Sequence, residues 1–262
     1  MAATNAGFVN INSDLGESFG PWVMGNDAEV LKIVRSANVA CGFHASDPLV
    51  MMDTVRLCKE NGVSIGAHPG FADLQGFGRR VINLSIREIE ANIAYQIGAL
   101  QAMAAYVGEK VTHLKPHGAL NNIAAENADY AMAIGRAIKA VDREIIYVTN
   151  VGSEMEKAGR KLGLKVAREA YCDRLYDDDC NLTSRKVPGA VIHDPAVAAE
   201  RVVRMVVDGE IVSRNGKRIP TRIETLCVHG DEPTAIVLAG ACRRALEAAG
   251  VKILTLPEMK LG

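Results

Sequence analysis

No apolar stretch of this chain approaches the length needed to span a bilayer, which argues against a helical membrane protein. Formal charges nearly cancel, with a net of −1 at pH 7, so the basic footprint of a nucleic-acid binder is missing. None of the six cysteines forms a C-x-x-C pair, and several sit inside apolar runs, so buried free thiols in a reducing compartment are expected. The first residues, Met1-Ala2-Ala3-Thr4-Asn5-Ala6-Gly7, lack the basic start and apolar stretch of a secretory signal, which predicts a cytoplasmic location. There is no G-x-x-x-x-G-K-S/T loop for a nucleoside triphosphate and no G-x-S-x-G nucleophile elbow. Linkers, low-complexity tracts and internal repeats are also missing, so residues 1–262 read as one domain.

What the chain does have is a recurrent pattern. Six short apolar runs each end in a charged or imidazole side chain: Phe8 to Asp14, Ala37 to His44, Val63 to His68, Val111 to His117, Lys165 to Asp173, and Thr225 to Asp231. Helix signals stand between most of them. Ser46-Asp47-Pro48 opens a helix that Asn61-Gly62 closes, Ser85 and Glu88 form a capping box, and Asp194-Pro195 opens another helix that stops near Gly209. A further strand is predicted from Ile145 to Thr149, and Lys252 to Leu256 is either an eighth strand or a trailing edge. Alternating strands and helices imply a parallel sheet, and about seven such units suggest an α/β, TIM-like (β/α)7-8 barrel, with an open doubly wound sheet as the alternative. Ligands bind at the carboxyl ends of such strands, so the polar ends would converge on one face. Two long connections, Pro69 to Leu84 and Arg174 to Pro188, follow strands and should overhang that face as lids.

Several residues there could carry chemistry. Asp14 and Glu17 could divide acid and base roles, or could form a local capping box. His44 and His68 end consecutive predicted strands and, with Asp14, would make a two-histidine, one-carboxylate set able to hold a divalent ion; without metal they would line a polar pocket. Lys115 and His117 flank Pro116 and should face the same way. A buried Lys115 calls for an anion, either a substrate group or a structural partner such as Asp14 or Glu17. Arg174 suits capture of a carboxylate, and Asp173 could orient a histidine. His229 is expected to function in the pocket, while Asp231 is weighed between substrate contact and a helix N-cap.

The segments Ser13-Asp14-Leu15-Gly16-Glu17-Ser18-Phe19-Gly20, Ser36-Ala37-Asn38-Val39-Ala40-Cys41-Gly42-Phe43-His44, Gly66-Ala67-His68-Pro69-Gly70, Gly76-Phe77-Gly78-Arg79-Arg80, Lys115-Pro116-His117-Gly118-Ala119-Leu120, Asp173-Arg174-Leu175-Tyr176 and Cys227-Val228-His229-Gly230-Asp231 together resemble the LamB/YcsF family over nearly the whole chain. The resemblance implies a barrel of the glycoside hydrolase/deacetylase type. It also implies service as the A component of an ATP-dependent 5-oxoprolinase, with partner subunits B and C, opening the lactam 5-oxoproline to glutamate. ATP would be bound with the partners, and a homo-oligomer is compatible. On that basis Asp14, Glu17, His44, His68, Lys115, His117, Asp173 and His229 are candidate catalytic residues, and Arg79, Arg174 and Asp231 candidate substrate contacts. A stand-alone metal-dependent deacetylase or amide hydrolase and a non-catalytic ligand-binding subunit are the alternatives. The chain departs from the family pattern at Ser46, where glycine is usual, at Asp179-Cys180-Asn181 in place of Asp-Gly, and at Ser184-Arg185 in place of Pro-Arg.

Overall fold

Seven parallel strands close into a ring. In chain order the elements are β1 (Phe8–Leu15), α1 (Asp27–Val30), β2 (Ser36–Ala40), α2 (Pro48–Glu60), β3 (Ser64–His68), α3 (Ile86–Tyr106), β4 (Val111–Leu114), α4 (Gly118–Glu126), α5 (Ala128–Val141), β5 (Ile146–Asn150), α6 (Glu154–Leu162), β6 (Val166–Tyr171), α7 (Pro195–Val203), β7 (Glu210–Val212), β8 (Arg218–Pro220), β9 (Thr225–Cys227), α8 (Pro233–Ala248) and β10 (Lys252–Ile253). This computed structural model describes residues 7–229 and 233–261. The ring runs β1-β2-β3-β4-β5-β6-β9 and closes through pairing of Asn10, Ile11 and Asn12 with Thr225, Leu226 and Cys227. That closure decides between the two expected architectures in favour of the barrel. Among the described residues β10 pairs only with Phe8 and Val9 at the start of β1 and stays outside the ring, so Lys252 to Leu256 is a trailing edge. The short antiparallel hairpin of β7 and β8 has no counterpart in the sequence pattern.

The helices begin where the capping chemistry places them. Asp47 accepts from the backbone N–H groups of Leu49 and Val50, with Pro48 in the first turn of α2. Ser85 and Glu88 form the predicted capping box of α3. Asp194 caps α7, which passes into one π turn before Gly209 takes a left-handed conformation.

Period two divides each strand into an outward apolar face and an inward face. Val9, Ile11 and Leu15 join the large cluster shared with the helices. Asn10, Asn12, Ser36, Asn38 and Thr225 are fully buried and hydrogen-bond across the barrel interior. Asn12 reaches Glu169 at 2.9 Å and Asn38 reaches Asp14 at 2.9 Å, so a polar ladder climbs from the interior to the carboxyl ends of the strands. A core polar group is stable only when partnered, and these are partnered with one another.

Candidate active site

The strand ends surround a cleft of about 260 Å³. Asp14 lies at the end of β1 and His68 at the end of β3; Lys115 and His117 follow β4, and His229 follows β9. The two long connections contribute Phe77 and Arg79 from one side and Leu182 and Arg185 from the other. His44 is not on a strand, because β2 ends at Ala40; its loop carries the ring behind the cleft, stacked on His117 with centroids 3.6 Å apart. Gly78 makes this packing possible. Its φ is +61°, and a Cβ there would lie 2.7 Å from the Cβ of His44 and 2.9 Å from the His117 ring.

Lys115 is 3% exposed, and its ammonium has three neighbours: Asp14 at 3.1 Å, Glu169 at 3.2 Å and the Cys227 sulfur at 3.2 Å. An ammonium has three protons, so none is left for a substrate anion in this arrangement. The partners of the structural alternative for Lys115 are present, with Glu169 rather than Glu17 as the second carboxylate, and Lys115 also lines the cleft. Burial alone would lower the Lys115 ammonium, but Asp14 and Glu169 hold it well above its usual value. Burial alone would raise the Asp14 carboxyl, yet the charges of His68 and Lys115 outweigh it and keep Asp14 well below the carboxylate range.

The imidazoles form two groups. In the first, His68 donates Nδ1–H to the Lys115 carbonyl at 2.7 Å and lies 3.3 Å from Asp14 through Nε2. His117 donates Nε2–H to the Phe77 carbonyl at 2.8 Å, and its Nδ1 stands 3.4 Å from Glu17. His44 donates Nε2–H to Glu17 at 3.1 Å. Burial, then the neighbouring imidazoles, push His44 well below its usual value; burial, then His68, bring His117 down to about 3. Glu17, His44, His68 and His117 offer donor atoms within 4.8 Å of one another, a set consistent with a divalent metal ion. Glu17 and His117 thus enter the set that the sequence assigns to Asp14, His44 and His68.

Across the cleft, His229 donates Nδ1–H to Asp173 at 2.6 Å. Burial would lower the His229 imidazole, but the hydrogen bond and charge of Asp173 raise it. Burial would raise the Asp173 carboxyl, and the bond from His229 lowers it. With Nδ1 committed, Nε2 of a neutral His229 is the nitrogen able to take a proton.

The sequence profile of the LamB/YcsF family matches residues 9–261. The chain belongs to the LamB/YcsF family. A protein named as the A component of 5-oxoprolinase, from Rhodopseudomonas palustris strain BisB18, is 56% identical over 246 residues, 94% of this chain and 96% of that one. Another of that name, from Gluconobacter oxydans strain 621H, is 50% identical over 95% of this chain and 98% of its own length. The crystal structure of a lactam utilization protein from Thermus thermophilus matches with a TM-score of 0.91 at 44% identity, covering 95% of this chain and 100% of that one. A GH113 beta-1,4-mannanase, at TM-score 0.56 and 9% identity, shares the fold alone.

In this LamB/YcsF barrel Arg79 lines the cleft and lies over the Phe77 ring at 5.0 Å. Arg174 lines it too, although one of its nitrogens is committed to the Thr183 carbonyl at 2.6 Å. Asp231 lies outside the described residues. The strand-end pattern does not single out Glu169, Tyr171 or Arg185, yet all three belong to the site. Glu169 and Tyr171 share strand parity, which marks an inward pair on β6, and Tyr171 lies 5.2 Å from the Lys115 ammonium. No helix among the described residues is long and apolar enough to cross a membrane.

Proposed function

We propose that this chain is the A component of an ATP-dependent 5-oxoprolinase, which works with partner subunits B and C in the cytoplasm to hydrolyse 5-oxoproline to L-glutamate. The observation that carries this reading is the near-full-length match, at 56% identity, to a protein that bears that name. A five-membered lactam is a stable amide with a poor leaving group. Transfer of a phosphoryl group from ATP to its carbonyl oxygen, releasing ADP, would make the carbon open to water; the carbon–nitrogen bond then breaks, the nitrogen takes a proton, and a second water cleaves the resulting acyl phosphate to glutamate and phosphate. The cleft is at the small end of ligand pockets, which suits a lactam better than a whole nucleotide, and the chain has no phosphate-binding loop, so the donor would be held with the partners.

The residues divide the work by their electrostatics. His229, oriented by Asp173, takes the proton of the attacking water and returns it to the departing nitrogen. Asp14 is held too acidic to be an effective base, so its part is electrostatic, fixed by Lys115. Arg79, Arg174 and Arg185 line the cleft as the cations for the substrate carboxylate and the phosphoryl group. The imidazole cluster favours a second reading, a metal-dependent amide hydrolase acting alone, in which the ion would supply a Lewis acid and an activated water.

Glutamate formation from 5-oxoproline, measured with this chain alone and with purified B and C subunits, separates the readings. ATP-dependent activity only in the mixture is expected, and Asp173→Asn should lower kcat by about 10²-fold. Chelator-sensitive hydrolysis by the chain alone, without ATP, would favour the second reading, and no glutamate in either would sink the first.

A further inference from the structure

Glu17 and the histidines around it are more selectively arranged than their proximity alone conveys. The Lys115 and Phe77 carbonyls can only accept, so they fix the proton on Nδ1 of His68 and on Nε2 of His117. His68 Nε2 and His117 Nδ1 then face each other at 3.1 Å at the wall of the cleft, with the Asp14 carboxylate 3.3 Å from His68 Nε2. Two ring nitrogens at that distance need one cation between them, either a proton on His68 Nε2 or a metal ion in its place.

Spacing, charge and support all suit a metal ion in that role. Donors bound at roughly 2.0–2.1 Å to one ion lie about 3.3 Å apart in a tetrahedron and about 3.0 Å apart in an octahedron. The separations here are 3.1 Å for His68 to His117, 3.4 Å for His117 to Glu17 and 3.3 Å for His68 to Asp14. Asp14 and Glu169 lie beside one ammonium, Lys115, and Glu17 lies beside His117; when ionised the three carboxylates exceed the ammonium by two charges. A ligating histidine whose other nitrogen is tied to a backbone carbonyl is the usual supporting arrangement of metal sites. His44 stands apart from the ligands. Its ring is parallel to that of His117 within 4°, at 3.6 Å, so a point between the two planes lies well out of both, whereas an imidazole nitrogen donates in its own plane.

We infer that Glu17, His68 and His117, with Asp14 alongside, form a site for a divalent transition-metal ion such as zinc, cobalt or manganese, and that His44 is a positioning residue for Glu17. The inference does not depend on which amide the chain acts on. The test uses the metal alone, without substrate or partners. The full chain, stripped with a chelator, should bind one equivalent of cobalt(II) with visible d–d absorption, and zinc should raise its Tm. His117→Ala, Glu17→Gln and, through Glu17, His44→Ala should each weaken cobalt binding by about tenfold or more. If a variant does not fold, selective broadening of the His68 and His117 ring resonances by cobalt in the wild-type chain decides the same point. No cobalt spectrum and no zinc-induced rise in Tm at millimolar ion would overturn the inference and leave a shared proton between His68 and His117. Undiminished binding in both folded ligand variants would overturn it as well.

Discussion

At the scale of single residues, two departures from the family pattern fall where the backbone is left-handed. Ser46 has φ +74° and Cys180 φ +72°, and both stand where the family pattern has glycine. A side chain in that region costs on the order of 1 kcal/mol or more. Ser46 is buried and its hydroxyl makes only a long 3.4 Å contact with the Asp47 carbonyl, so little is lost with it. Glycine gives back part of the gain through the greater freedom of the unfolded chain. Ser46→Gly should therefore stabilise the protein by about 0.5–1 kcal/mol in urea unfolding, and a loss of stability would refute the strain argument. The His229–Asp173 pair makes a second prediction, of opposite sign at its two ends. The His229 value in the fold lies above 6.5, so its contribution is complete below 6.5 and is lost as pH rises through the raised value. The Asp173 value lies below 3.8, so its contribution is complete above 3.8 and is lost as pH falls through the lowered value. The stability difference between wild type and Asp173→Asn should be greatest between these limits and should shrink at alkaline pH. As a base His229 must be neutral, so the acid limb of the wild-type pH–rate profile should lie above 6.5, and Asp173→Asn should move it down. An unmoved limb would remove His229 from the proton transfer.

At the scale of elements, strands and helix starts were legible because their signals are local. Asp47 and Pro48, Ser85 and Glu88, and Asp194 each state a helix start in one or two side chains, and each helix begins there. Both long connections reach the cleft, as their position after strands implies. The short β7 and β8 are invisible in the sequence because three residues show no periodicity, and their pairing depends on a turn rather than a pattern. The grouping of the site residues was only half legible. That Asp14, His68, Lys115, His117 and His229 share a face follows from the strand ends. Which of them touch does not, since His44 reaches His117 and Glu17 only through loop conformations that rest on Gly78 and its neighbours. Glu169 was hidden for a different reason. It lies inside the strand, two residues before Tyr171, and its partner Lys115 follows β4, two strands away round the ring. The alternation Asn10, Asn12, Asp14 along β1 carries the hint that this barrel has a polar interior, and the same parity applied to β6 points to Glu169.

At the scale of the whole molecule, the barrel separates its chemistry from its support. The carboxyl ends of the strands hold the cleft, and the polar ladder from Asn10 through Asn12 and Asn38 to Asp14 connects it with the interior. The opposite end is closed by the segment that follows β10. Leu256 and Met259 pack there against Ile146 and Val148 of β5 and Ala167 of β6, in a small cluster apart from the main core. The Leu254 carbonyl accepts from Asn10 at 2.7 Å, and β10 extends the sheet beside β1. Leu256 is fully buried. Truncating it removes transfer energy and leaves a cavity under a closed ring that can collapse little, so Leu256→Ala should cost about 2–4 kcal/mol. Barrel floors contribute stability whereas the opposite face carries the chemistry, so the same variant, assayed well below its lowered Tm, should retain the wild-type kcat and cobalt affinity. Chemical denaturation with the two functional readouts in parallel distinguishes the outcomes. A cost below about 1 kcal/mol would mean that this segment covers the floor without supporting it. Full stability with impaired function would mean that the polar ladder transmits the change, and that floor and cleft are one mechanical unit.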